Sequence, residues 1–102
     1  MAKLVGYDLT WVGSPSQDLA GYKVYWNNDG SQPDYLSNVY DVGNVTTVNI
    51  NAIDGFPNTE GNMTIGLTAY DGVGNESDMV YNTTFFDYAA PDAPTGFTVV
   101  IS

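Results

Sequence analysis

No window of about eleven residues in this chain keeps a helical apolar period without Gly, Pro or Asn interrupting it. A period of two recurs instead. Val5, Tyr7, Leu9 and Trp11 alternate along a first segment. Tyr22, Val24 and Trp26 line one face of a second, with Lys23 and Tyr25 on the other. Thr46, Val48 and Ile50 form a further inward row, and Met63, Ile65, Leu67 and Ala69 alternate again. Turn chemistry separates these runs: Ser14-Pro15 within 13–18, Asn28-Asp29-Gly30, Gly43-Asn44, and Asp71-Gly72-Val73-Gly74-Asn75. Strand-favouring Val, Ile, Thr, Tyr, Phe and Trp supply 39 of 102 residues, so the pattern and the propensity agree. Six strands are expected, at 5–12, 21–27, 39–42, 45–50, 63–70 and 79–86. The last is expected to carry a bulge, because its apolar positions do not hold one parity. Short strands with turns this frequent imply a two-sheet sandwich or a small barrel. The break at Pro91-Asp92-Ala93-Pro94 then isolates 95–101 as a seventh, solitary strand candidate.

Charge and missing residue types limit function. Twelve acidic side chains face two lysines and no arginine, a net charge of −10. A phosphate backbone is repelled by that balance, so no nucleic acid is expected as a partner. An anionic membrane surface is disfavoured likewise, and no membrane insertion or signal peptide is read from the sequence. Cysteine and histidine are both absent. That removes disulfides, thiolate and imidazole catalysis, and any metal, haem or cluster site built on those ligands. No cofactor is expected. Plentiful Asp, Asn, Thr, Gly and Tyr with almost no Lys points to a microbial module at the cell surface or outside the cell.

Several pieces in series resemble the fibronectin type III domain, especially bacterial versions. They are Leu9-Thr10-Trp11, the run from Asp18 to Trp26 (DLAGYKVYW), Asp41-Val42-Gly43-Asn44-Val45-Thr46, Leu67-Thr68-Ala69-Tyr70-Asp71 and Gly74-Asn75-Glu76-Ser77. They run in order from about residue 4 to 86. The resemblance implies an all-β, immunoglobulin-like β-sandwich, with Trp11 as the core tryptophan of strand B. Tyr22 and Val24 match core positions of strand C, and Leu67 and Ala69 those of strand F. Two departures stand out. The tyrosine usual at the start of strand F is matched by Met63, which cannot donate that residue's hydrogen bond. The family's strand A, with its Pro-x-x-Pro-like start, is missing before Trp11. Its signature lies at the other end, as APDAPTGFTV over residues 90–99.

The domain is therefore expected at residues 1–88, as strands B to G. Residues 89–102 are expected to be a linker plus a strand A-like segment, belonging to a following domain or exchanged with a neighbour. In the family's topology the tail leaves from the pole opposite the one where strand A begins. The six-residue link 87–92 spans at most roughly 20 Å, too little to refill the domain's own slot in the native direction. A frayed tail, insertion into a neighbouring molecule through Phe97, Val99 and Ile101, and self-insertion in another direction all stay open.

The chemistry-bearing groups have bland readings beside the sharp ones. Asp71, Asn75, Glu76 and Asp78 cluster near one turn and offer calcium-type oxygen ligands. Their spacing is not that of an EF-hand, and Asp/Asn/Gly clusters are ordinary turn chemistry, so no metal site is assigned and calcium is kept as a weaker alternative. Four Asn-x-Ser/Thr triplets begin at Asn44, Asn62, Asn75 and Asn82, a mild excess over chance. A two-carboxylate hydrolase needs a cleft between an acid and a base, and no two acids here are held facing one another. No catalytic residue is assigned, and the chain is read as non-enzymatic. Tyr25, Tyr35, Tyr40 and Tyr81 are the candidate binding surface, since exposed tyrosines beside Asp and Asn stack on sugars or form protein interfaces.

The expected role is a spacer or an adhesion or presentation module of a larger extracellular or cell-surface microbial protein, with neighbouring domains of the same chain as partners. Two alternatives remain. One is a glycan- or protein-binding module using those tyrosines, and the other a subunit that self-associates through residues 95–101.

Overall fold

The computed structural model describes residues 6–58 and 60–101. The first expected strand begins at Val5, outside the described residues. The strands are β1 (Asp8–Thr10), β2 (Leu19–Trp26), β3 (Asn38–Gly43), β4 (Thr47–Asn49), β5 (Gly61–Asp71) and β6 (Val80–Phe86), with a 3-10 turn at Ile50–Ala52. All pairing is antiparallel. A two-stranded sheet joins β1 to β4, and a four-stranded sheet has the order β3-β2-β5-β6. The described chain is all-β, an unclosed two-sheet arrangement of the general immunoglobulin-like kind.

Alternation sets the faces. Val24 and Trp26 from β2, Met63 and Ile65 from β5, and Phe86 from β6 are buried together with Ile50 and Ile53. Leu9 of β1 and Val48 of β4 lie opposite one another and pack on that cluster from the smaller sheet. Asn49 stops β4 by accepting the amide of Asn51 at 2.9 Å, which tips the chain into the 3-10 turn and drops Ile50 into the core.

The core is concentrated at the pole where β1 begins and β6 ends. The Ile50 amide donates to the Tyr7 carbonyl at 2.9 Å, and the Asp87 amide to the Tyr7 hydroxyl at 3.0 Å. The Tyr7 ring meets Phe86 edge-on at 4.9 Å, and Phe86 lies 6.2 Å from Phe56. Edge-to-face pairs of this kind add to area burial. Trp26 completes the aromatic group through Phe56 at 5.2 Å.

Two strand expectations are corrected. The bulge anticipated in the last strand is absent: β5 and β6 run in unbroken register from Gly61 opposite Phe86 to Leu67 opposite Val80. Asn82 and Thr84 share the inward parity of Val80 and Phe86 but line an open groove, so the hydrophobic pattern lapses while the geometry does not. The register shifts fall in β2 instead, between Leu19 and Gly21 against β5 and between Tyr22 and Lys23 against β3. The seventh strand is also absent. Residues 89–101 are exposed throughout and belong to no ladder, because none of the described residues covers them.

Phe86 is the side chain through which this pole closes, so Phe86→Ala is expected to destabilise the fold by about 3–5 kcal/mol. Val73→Ala, in an exposed connection, is expected to change stability by less than about 0.5 kcal/mol. Urea denaturation of both variants reads the difference, and a Phe86→Ala loss below about 1 kcal/mol contradicts the packing described.

Candidate functional site

The outer face of the four-stranded sheet carries a compact polar cluster. Lys23 and Tyr25 of β2 point outward, opposite Thr68 and Gly66 of β5. After β5 the chain turns on Asp71, whose carboxylate accepts the amides of Val73 at 3.0 Å and Asn75 at 2.9 Å and the Asn75 side-chain amide at 2.9 Å. That turn swings Glu76 back over the sheet. Its Oε1 receives Lys23 Nζ at 3.2 Å, and its Oε2 receives the hydroxyls of Tyr25 at 2.5 Å and Thr68 at 2.8 Å.

Burial alone pushes the Glu76 carboxyl up. The hydrogen bonds from Tyr25, Thr68 and Lys23, together with the lysine charge, outweigh it and hold the pKa below the ordinary glutamate value. Burial raises the Tyr25 phenol strongly, and its bond to Glu76 raises it further. The cluster continues sideways. Lys23 Nζ sits 5.2 Å from the Tyr70 ring centroid, and the Tyr70 hydroxyl donates to both Asp41 oxygens at 2.9 and 2.8 Å. A roof covers its other flank. Tyr35 meets Tyr25 edge-on at 5.9 Å and donates to the Ser77 carbonyl at 2.8 Å. Gly66 allows the roof to come close, since a Cβ there would collide with the side chains of Met79 and Pro33.

The second feature is a groove of about 380 Å³ between β1 and β6. Its floor is Val24, Ile65 and Leu67, and its walls are Leu9 and Trp11 on one side and Val80, Asn82 and Thr84 on the other. Two polar pairs lie on its rim: Thr84 Oγ1 donates to Asn82 at 2.6 Å, and Asn49 donates to Asp8 at 2.9 Å. The Trp11 indole N–H in its wall is buried without a partner among the described residues.

The four candidate tyrosines do not share one surface. Tyr25 is only 2% exposed, so its placement on an open face is corrected; outward parity leads it under the roof of Tyr35 and Glu76, not into solvent. Tyr40 is partly buried. It lies opposite Val24 and packs against the core from β3. Tyr35 and Tyr81 are 50% and 46% exposed.

The four candidate calcium ligands separate as well. Asp71 and Asn75 bond to each other, while Glu76 turns inward to Lys23. Among the described residues no three acidic side chains converge as a metal site would require. Met63 is a buried core residue. Sequence reasoning missed the convergence of Lys23, Tyr25 and Thr68 on Glu76. The available signal was that the first three share the outward parity of adjacent strands. No protein-family model, curated protein or solved structure matches this chain.

The Glu76 network makes a signed pH prediction. Because the folded-state pKa lies below the unfolded one, the carboxylate's stabilisation is complete above the ordinary value of 4.5 and drains away as pH falls through the folded value. Glu76→Gln is expected to cost about 1–3 kcal/mol near neutral pH. The gap between the parent chain and this variant is expected to close as pH falls below the ordinary value. Urea denaturation across that range measures it, and a gap independent of pH contradicts the assignment.

Proposed function

We propose that this chain is a non-catalytic module of the fibronectin type III kind, serving as a spacer or presentation unit within a larger extracellular or cell-surface microbial protein. The observation that carries this is that its most deeply held acid is committed to the protein's own groups. Glu76 is the acid held deepest against a sheet, and it accepts three hydrogen bonds from the protein itself. Two polar pairs on the groove rim, Asn49 with Asp8 and Thr84 with Asn82, are likewise bonded internally. A reactive carboxylate needs a lone pair free for substrate and, for acid catalysis, a raised pKa. Glu76 has neither. Its network instead fastens the connection between β5 and β6 onto the sheet, which stiffens the body as a spacer requires.

Three further points support the assignment. The strand order joins β1 to β4 and β2 to both β3 and β5, an arrangement suited to a two-sheet sandwich. The chain leaves the body beside the start of β1 in an extended, proline-containing segment suited to a link between domains. Composition supports the location: a strongly acidic surface and no cysteine suit a protein outside the cell that does not depend on disulfides.

Placed between two fluorescent reporter domains, the chain is expected to hold their energy transfer constant from low to high salt, and to lose that constancy only where it unfolds. The competing role is recognition through Tyr35 and Tyr81. Polysaccharide or protein binding by the isolated chain, abolished by Tyr35→Ala with Tyr81→Ala at an unchanged unfolding midpoint, replaces the spacer assignment with a binding module.

A further inference from the structure

The groove between β1 and β6 has an apolar floor and an unpaired backbone edge. The Tyr7 carbonyl and the Trp11 amide bond to Ile50 and Thr46 on the β4 side, at 2.9 and 3.0 Å. Antiparallel alternation therefore turns the N–H and C=O groups of Asp8 and Thr10 the other way, into the groove. Among the described residues nothing pairs with that edge of β1, and β6 is likewise terminal in its sheet. An apolar slot flanked by two open strand edges is a template for one more strand.

The same chain carries a segment of matching chemistry. Residues 97–101, Phe-Thr-Val-Val-Ile, are uncharged and strand-favouring. Phe97, Val99 and Ile101 fall on one parity and are 89%, 92% and 99% exposed. The segment's five residues equal the span from Tyr7 to Trp11 that walls the groove. Its lack of charge also matters. In a chain of net charge −10, it is a stretch that a second acidic copy does not repel.

We propose that the groove binds residues 97–101 of a second copy of this chain, as a strand antiparallel to β1 with Phe97, Val99 and Ile101 inward over Val24, Ile65 and Leu67. A second copy is favoured over the chain's own tail by direction. The tail leaves at the pole where β1 begins, as the Tyr7–Asp87 hydrogen bond shows. Folding back, it would run parallel to β1 and would have to reverse within a stretch containing Pro91 and Pro94, which favour extended backbone. The structure has no such reversal. Its long axis of 71 Å, against 27 and 19 Å across, reflects a tail carried away from the body. A tail from another copy enters from the far pole and meets β1 antiparallel. Each copy then has one donor and one acceptor at opposite ends, so the contact is head-to-tail and extends into linear oligomers. This inference rests on the groove and the tail, and is independent of the spacer role.

The test uses full-length chains and light scattering after size exclusion. Phe97→Asp with Val99→Asp disables the donor and leaves the groove intact. Val80→Asp, at an exposed position on the groove wall, disables the acceptor and leaves the tail intact. The parent chain is expected to grow in mass with concentration, and each variant to stay at the 11.0 kDa of one copy. Mixing the two variants is expected to double that mass and stop there, because only one donor–acceptor pair remains. Circular dichroism checks that each is folded, and Asn82→Glu serves as the acceptor variant if Val80→Asp is not. A parent chain that is monomeric at every concentration overturns the inference. So does a parent oligomer that survives either variant, or a mixture that stays at one-copy mass. An oligomer lost in the donor variant but kept in the acceptor variant would mean tails stacking on tails.

Discussion

A pair of three-residue strands cannot hold itself together in water, because the few hydrogen bonds of β1 and β4 do not offset the entropy of ordering them. Their sheet exists because Leu9, Val48 and the following Ile50 press onto the inner face of β2, β5 and β6. That pressing is strongest at one pole, where Tyr7, Trp26, Ile53, Phe56, Met63 and Phe86 gather round Ile50. Away from it the sheets part, and the groove under Val24, Ile65 and Leu67 opens. The closed pole and the open groove are two consequences of one constraint: a small sheet covers only part of a larger one.

The outer face of the larger sheet is held by different physics. Apolar contacts there are few, and the Glu76 carboxylate takes their place by collecting an ammonium group and two hydroxyls from two strands. Such a network is costly to break, since removing its centre leaves Tyr25 and Thr68 without their partner. The connection after β5 is thereby pinned to the sheet, and with it the roof formed by Tyr35, Pro33 and Met79. The body is thus bound on one side by burial and on the other by charge-assisted hydrogen bonds.

Much of the fold was legible in the residues. Alternation at Tyr22, Val24 and Trp26 and again at Met63, Ile65 and Leu67 located both central strands and their inward faces. Where pattern reading failed, a tertiary neighbour was the cause. Asn82 and Thr84 imitated a bulge because polar residues are tolerated where inward positions meet a groove instead of a packed sheet. Tyr25 looked like surface because parity tells which face a side chain takes, not what lies over that face. Tyr40 packs on the core because its register with β2 sets it opposite Val24.

By itself the sequence determined that the chain forms short antiparallel strands, that histidine and cysteine chemistry is absent, and that residues 95–101 stand apart behind two prolines. These follow from local causes: side-chain period, residue type, and proline's fixed backbone. Only the tertiary structure decided that Glu76 meets Lys23, Tyr25 and Thr68, since those partners lie up to 53 residues away along the chain. It alone decided that none of the described residues fills the space between β1 and β6. Whether an interior is closed depends on how many strands each sheet gathers, and no local pattern carries that count.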